Sequence, residues 1–585
     1  MANKVIVSIA SFVIVVGCVI GVVLLLVNNT KSHNKVNTSS NKAADLICKP
    51  CDYKEACRNA IDEVAKNSSA TYQDFIIAII RATAGELDAA LEKATKNKKG
   101  LGGNDKKASA DLENCEKMLG YATDELKQVL KIVSENKAAS LAQQADPILV
   151  WLTAVRSYQT TCTDQIQDPK LKKQMQDVLD ASNQLTFNAQ KIVYNVHSIL
   201  KDIGVNLNNV KLPPLGNRKL LHEANEIDRY GFPSWVPIAD RKLLQNTPDN
   251  EALFKSPLPP PVPANPTPDA VVAQDGSGRF SSIKQALAAY PAGHQGRYIV
   301  YIKAGTYNEG QVIVDRNQNN VYMYGDGIGK TIITGSLNYQ IMGIGTAQTS
   351  TVIALGERFM AKGISFVNSI GPAGHQAVAF RSQSPHTVMI ECSFEGYQDT
   401  LYYHAHDQFY KNCVITGTVD FIFGNGRAFI QDSDIIVNKP DANQGNMVTA
   451  DGRMAYEEAG GVVLHRCRIH ASNDLAPVEA QYPTYLGRPW KACATSVILM
   501  CDVGDLIRPE GWFTWQSPEG INNHMTCTFR EWGNTGPGAN QAGRVTWPGY
   551  KPITEEKVAL DYTAGPFLDA GSWLPKYGVP VNLAL

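Results

Sequence analysis

The sequence predicts an all-β right-handed parallel β-helix preceded by an all-α up-and-down four-helix bundle. Three observations predict it. Before residue 200, apolar residues recur at alternating spacings of three and four, as in Leu112, Cys115, Leu119, Ala122, Leu126, Val129 and Val133, which puts one stripe on a long helix. After Asp269 the texture changes to short apolar runs punctuated by glycine, with no long helix between them. Within that stretch Cys392, Cys413 and Ser433 each precede a strand-like run and lie 21 and 20 residues apart. A period near twenty suits one coil of a solenoid, whose apolar face is buried only by stacking on the next coil.

The chain has 585 residues, enough for several units at ~150 residues each. At 44% hydrophobic and 19% charged it has ordinary globular composition. Residues 1–268 carry 32 Lys and Arg against 28 Asp and Glu, net +4; the remainder carries 23 against 28, net −5, adding to the overall −1. Neither part has the basic balance of a nucleic-acid binder, so no nucleic-acid partner is expected.

Residues 1–27 read as a signal anchor or signal peptide, since the uncharged run Val5 to Val27 is long enough to span a bilayer at 1.5 Å rise per residue. It directs the chain to the secretory pathway and is its only expected membrane contact. Glycosylation sequons at Asn28, Asn37 and Asn67 agree with that route. Residues 41–200 form the predicted bundle, with further stripes over Phe75 to Leu91, Ile148 to Val155 and Met175 to Leu200. The bundle has no convergent His or carboxylate set and reads as a packing or interaction module.

Residues 201–268 are linker. Seven prolines between Pro257 and Pro268 favour a stiff extended spacer. The tetrapeptide RKLL occurs at Arg218 to Leu221 and again at Arg241 to Leu244. Its dibasic pairs, Arg218-Lys219 and Arg241-Lys242, mark expected processing sites in exposed chain. Residues 269–585 are the solenoid, with strands expected at Tyr298 to Ile302, Val321 to Tyr324, Thr331 to Thr334, Thr351 to Leu355, Val414 to Thr416 and Ile435 to Val437.

A solenoid offers a long groove, which fits an extended polymer. Polar groups concentrate in GHQAVAF (Gly374 to Phe380), GYQDTLY (Gly396 to Tyr402), GTVDFIFGN (Gly417 to Asn425) and YLGRPW (Tyr485 to Trp490). Asp399 and Asp420 lie 21 apart, one coil period, so their carboxylates should stack at the ~4.8 Å strand spacing. Two such carboxylates cannot both ionise cheaply, so one becomes the acid. Gln376 and Gln398, 22 apart, could share a face and offer amide donors to an oxyanion. Arg488 can fork onto a carboxylate, and Tyr402, Phe423 and Trp490 can stack on sugar rings. Taken singly, an Asp beside a glycine-rich turn is more often an Asx-turn, and strand aromatics are usually core. Spacing by itself therefore supports a carbohydrate-binding or carbohydrate-acting solenoid.

These strings, with NTGPGA (Asn534 to Ala539) and RVTWPGY (Arg544 to Tyr550), resemble the plant pectin methylesterases, the pectinesterase family, over essentially all of residues 269–585. The bundle resembles the pectin methylesterase inhibitor domain. The resemblance implies hydrolysis of methyl esters of cell-wall homogalacturonan to pectate and methanol. Asp420 would be nucleophile, Asp399 proton donor, and Gln398 and Gln376 transition-state stabilisers. Thr346, Gln376, Arg488, Trp490, Tyr402 and Phe423 would contact substrate. It further implies disulfides Cys48 to Cys57 and Cys115 to Cys162, no metal or organic cofactor, and a monomer secreted to the cell wall. The bundle would act as an autoinhibitory or folding pro-region removed by a subtilisin-like protease.

Three positions depart from the family pattern. Ser433 replaces a cysteine, which leaves Cys413 without that partner; Asp407 stands where many members carry Arg, adding negative charge near the dyad; and Cys51 replaces a Thr. Two other readings share the solenoid: a pectate lyase or polygalacturonase, which would need its own acidic set, and a non-enzymatic wall-binding regulator, against which the intact dyad argues.

Overall fold

The computed structural model describes residues 40–100, 105–135, 138–202, 254, 257–263 and 265–585. The apolar N-terminal run, Asn28, Asn37 and both RKLL motifs lie outside the described residues. No described helix is long and apolar enough to cross a membrane. Asn67 is exposed in a turn, its Oδ1 accepting from the Ser69 N–H at 2.9 Å.

Four long helices, Tyr72–Gly100, Lys106–Glu135, Ala145–Asp164 and Pro169–Tyr194, make the bundle. The stripe from Leu112 to Val133 is buried throughout, because a 3.6-residue period keeps those side chains on the inward face. The fourth helix starts where its sequence dictates: Asp168 caps it by accepting the Leu171 N–H at 2.6 Å, and Pro169 takes the first turn, where a missing N–H costs nothing. Cys115–Cys162 ties the second long helix to the third, and Cys48–Cys57 ties the two short helices that precede them, Ser40–Cys48 and Lys54–Ala65. Cys51 is a buried free thiol.

The second half is a parallel β-helix of three parallel sheets with ten, seven and eight strands. Registers such as Leu401↔Ile422 and Val414↔Asp434 are offset by 21 and 20 residues, one coil each. Each coil must bend sharply between the ten- and eight-stranded sheets. Glu391, Asn412, Asp432, Arg466 and Met500 make those bends in the left-handed region, with φ of 52°, 52°, 51°, 56° and 54°. The residue after each bend points inward, so Cys392, Cys413, Ser433, Cys467 and Cys501 form one buried ladder. The repeat legible in the sequence is therefore a corner repeat. Inside, Phe366 stacks on Phe394 at 5.5 Å and Phe380 packs against both. At ~1.5–3 kcal/mol per buried large side chain, such stacks hold successive coils in register.

The outer face of the ten-stranded sheet is covered by the C-terminal segment, through Phe567, Leu568, Trp573, Leu574 and Tyr577, and by Leu258 and Val262 of the proline-rich spacer. This cover is why strands such as Gly461–His465 are apolar on both faces. The helical unit packs on the solenoid along the C-terminal ends of the seven-stranded sheet: Ala405 and Ala459 belong to the bundle's own apolar cluster.

Candidate active site

Asp399 and Asp420 each sit two residues ahead of a strand of the seven-stranded sheet, Leu401–Tyr403 and Ile422–Gly424. Those strands pair Leu401↔Ile422, so the two aspartates are register mates on adjacent coils. Both adopt left-handed backbone, φ 64° and 53°. Such a conformation costs a non-glycine residue ~1–3 kcal/mol and is held only where the surroundings over-determine it. Here the Asp399 N–H donates to Val419 O at 3.0 Å, and the flanking strands fix the rest.

The two carboxylates have different partners. Arg488 donates Nε to Asp420 Oδ1 at 2.7 Å and Nη2 to Oδ2 at 2.6 Å. The fork neutralises the charge on Asp420 and fixes the plane of its carboxylate. Asp399 has no such ion pair, and burial, followed by the charge of Asp420, pushes its pKa well above the usual carboxylate range; Arg488 offsets this only in part. One carboxylate is thus charge-paired while its neighbour favours the protonated form.

Gln376 and Gln398 flank the pair, but not as strict stack mates. The register Phe380↔Leu401 makes Ala377 the mate of Gln398, and the Ala377 N–H donates to Gln398 O at 3.1 Å. Gln376 is one residue out because it follows His375, itself left-handed at φ 53°, at the end of the turn Pro372–Gly374. Its Oε1 is buried without a protein hydrogen-bond partner, as expected of a group reserved for something not in the fold.

Tyr402 and Phe423 are register mates and stack at 4.3 Å; Trp490 meets Phe423 edge-on at 6.1 Å. With Ala347, Val378 and Ala450 they form one apolar patch. Thr346 opens the turn Thr346–Thr349, which carries Ala347 into that patch. Gly452 admits the Trp490 ring, since a Cβ there would lie 2.7 Å from it.

Sequence reasoning missed two supports. Trp515 stacks beneath Arg488, whose guanidinium carbon is 4.4 Å from the ring centroid, and Asn523 donates to Pro489 O at 3.1 Å and Trp490 O at 3.0 Å. Both lie in an irregular segment 25 or more residues after Arg488, with no periodic signal to join them to it. The expectation for Asp407 is corrected. It begins a strand of the ten-stranded sheet and is forked by Arg427, Nε to Oδ1 at 2.7 Å and Nη2 to Oδ2 at 2.8 Å, so its charge is spent in an ion pair and does not bear on Asp399.

The helical unit reaches the same groove. Thr161 hydrogen bonds the Tyr402 hydroxyl and meets His404 Nε2 at 2.8 Å. Gln165 lies so close to Gly345 that a Cβ there would sit 2.7 Å from its Oε1, and Gln167 donates to Gly343 O at 3.0 Å. Asp164 pairs with Lys491, next to Trp490, at 2.9 Å. Further along, Glu125 is wholly buried between Arg316, with which it pairs closely, and His406 Nε2 at 3.4 Å. Tyr402 and Phe423 are consequently buried in the full chain, at 3% and 5% exposure, instead of open to a polymer.

Compared with known families, residues 269–571 match the model described as pectinesterase, and residues 42–192 match plant invertase/pectin methylesterase inhibitor. A putative pectinesterase/pectinesterase inhibitor 45 of Arabidopsis thaliana is 37% identical over 553 residues, covering 93% of this chain and 84% of its own. A probable pectinesterase/pectinesterase inhibitor of Brassica napus is 36% identical over 597 residues, covering 100% of each. Among solved structures, pectin methylesterase from carrot is 43% identical with a TM-score of 0.53, covering 55% of this chain and 100% of that one.

Proposed function

The chain belongs to the pectinesterase family and is a carboxylic ester hydrolase with an inhibitor-like helical unit ahead of it; we propose that Asp420 is its nucleophile and Asp399 its acid and base, acting on methyl esters of homogalacturonan. The observation that carries this reading is the asymmetry of the pair: Asp420 gripped by Arg488, Asp399 buried with a raised pKa.

Asp420 attacks the ester carbonyl carbon, and the resulting oxyanion takes hydrogen bonds from the amide groups of Gln376 and Gln398. As the intermediate collapses, protonated Asp399 gives its proton to the leaving methoxide, which departs as methanol. Asp399, now ionised, removes a proton from water; the hydroxide attacks the acyl carbon and expels Asp420, leaving a galacturonate carboxylate. The asymmetry suits this cycle, because the nucleophile must be ionised at the moment the acid is protonated. Arg488, Trp490, Tyr402, Phe423 and Thr346 orient the sugar chain.

The helical unit is an intramolecular inhibitor in this reading, supported by the contacts of Thr161, Gln165 and Asp164 beside Tyr402, Gly345 and Trp490. Secretion to the cell wall through the N-terminal segment, and release by a subtilisin-like protease at RKLL, complete the proposal. Methanol release from highly methylated pectin tests it, using the full chain before and after a cut in the linker, beside Asp420→Asn. We expect little methanol before the cut, a large rise after it, and none from the variant. Absence of methanol from the cut, folded chain would overturn the esterase reading.

A further inference from the structure

The corner ladder carries four thiols that the proposed chemistry does not use: Cys392, Cys413, Cys467 and Cys501, all buried and free in this structure. Ser433 interrupts it. The Cys413 N–H donates to Ser433 Oγ at 3.0 Å, the Cys467 N–H to Cys501 Sγ at 3.4 Å, and the Cys501 N–H to Asn534 Oδ1 at 2.9 Å. Each inward side chain thus accepts from the backbone of the coil before it. Cys467 accordingly has Ser433 on one side and Cys501 on the other, and beyond Cys501 stands Asn534. The two sulfurs form an isolated pair in a ladder where neighbours are otherwise oxygen.

Their geometry is that of a bridge waiting to close. The strands following the bend pair Arg468↔Asp502 and Ile469↔Val503, so Cys467 and Cys501 are in-register neighbours on parallel strands. At the usual strand spacing of ~4.8 Å their Cα atoms fall inside the 4.4–6.8 Å range of disulfides. The Cys501 thiol points back along the axis, donating to Leu464 O at 3.4 Å, a carbonyl in the coil that bears Cys467. Burial, followed by the hydrogen bond with Cys501, holds the Cys467 thiol well above its usual pKa, as expected of sulfurs already in contact. The chain also carries two disulfides in its helical unit, which places it in a compartment where thiols oxidise.

We propose that Cys467 and Cys501 form a disulfide stapling two successive coils of the solenoid, closed while those coils stack during folding. The oxidant is a disulfide donor, either oxidised glutathione or the active-site disulfide of a thiol oxidoreductase. The Cys501 thiolate attacks one donor sulfur, forming a mixed disulfide and releasing the other sulfur as a thiolate. The Cys467 thiolate then displaces the remaining donor sulfur. Two protein thiols lose two protons and two electrons, and the donor disulfide is reduced to two thiols. Ser433 makes the pairing unambiguous: a fifth cysteine there would give Cys467 two competing partners. The inference does not depend on the esterase chemistry.

The test is peptide mapping of the full chain from a secretory host, with free thiols alkylated under denaturing acid conditions and digestion without reduction. The Cys48–Cys57 and Cys115–Cys162 bridges serve as the internal standard for oxidising conditions. We expect one linked peptide pair containing Cys467 and Cys501 in nearly all molecules, and alkylated Cys467 in Cys501→Ser. Recovery of both residues alkylated in protein whose helical bridges are intact would overturn the proposal, as would a link from Cys467 to any other cysteine.

Discussion

Arg488 and Asp420 meet through two parallel hydrogen bonds, at 2.7 and 2.6 Å, across 68 residues of sequence. The planar fork matches both carboxylate oxygens at once, and Trp515 holds the guanidinium from beneath at 4.4 Å. A lysine would keep the charge but lose the second bond and the stack.

Arg488→Lys should therefore lower kcat for methanol release by ~10–100-fold, since a hydrogen bond to a charged group contributes ~1.5–3 kcal/mol and each ~1.4 kcal/mol is tenfold. The cut chain is the enzyme to assay. An unchanged kcat would mean that charge alone suffices and the fork is dispensable.

Asp399 gives a pH prediction with a defined sign. Its folded pKa is raised by burial and by Asp420, so between its ordinary value near 4 and that raised value the folded state holds more protons than the unfolded one. This group's contribution to stability is fully present below pH ~4 and is lost as pH rises through that window. Asp399→Asn removes the loss and keeps a residue tolerant of left-handed backbone. The variant should release no methanol, yet its gain in Tm over wild type should be larger at pH 7 than at pH 4. An equal gain at both would show that Asp399 is not protonated by its site.

The pairing of Arg316 with Glu125 predicts how the helical unit is held. Glu125 is wholly buried, touching Arg316 and His406 of the solenoid, and Arg316 also lies 4.7 Å over the Tyr121 ring. Removing one partner of a buried pair costs ~3–5 kcal/mol, because the other charge stays in a dry site. Arg316→Ala should raise methanol release by the uncut full chain several-fold while leaving the cut chain unchanged. Equal activity of variant and wild type in the uncut form would show that this contact does not keep the groove shut.

Much of the fold was legible because its periods are short. The stripe from Leu112 to Val133 needs only the 3.6-residue helical repeat, and every member is buried. The twenty-residue spacing of Cys392, Cys413 and Ser433 needs only a repeated corner. The strings around Gln398, Asp399, Asp420 and Arg488 named a site because their spacing matched one coil. What escaped lies where no period operates: Trp515 and Asn523 come from an irregular segment that returns to the groove, and Gln376 slips one residue because His375 turns the chain ahead of its strand.

The sequence by itself determined the periodicities, and with them a helical bundle, a solenoid and the placing of two aspartates one coil apart, since these follow from local geometry repeated along the chain. Only the tertiary structure decided what each charge means. Asp399 and Asp420 are the same residue type in similar strings, and only burial and the approach of Arg488 distinguish them. Asp407 is paired off by Arg427, 20 residues on, and Glu125 of the bundle is buried against Arg316, 191 residues away. Charge state is set by distance and dielectric, and neither is a property of sequence order.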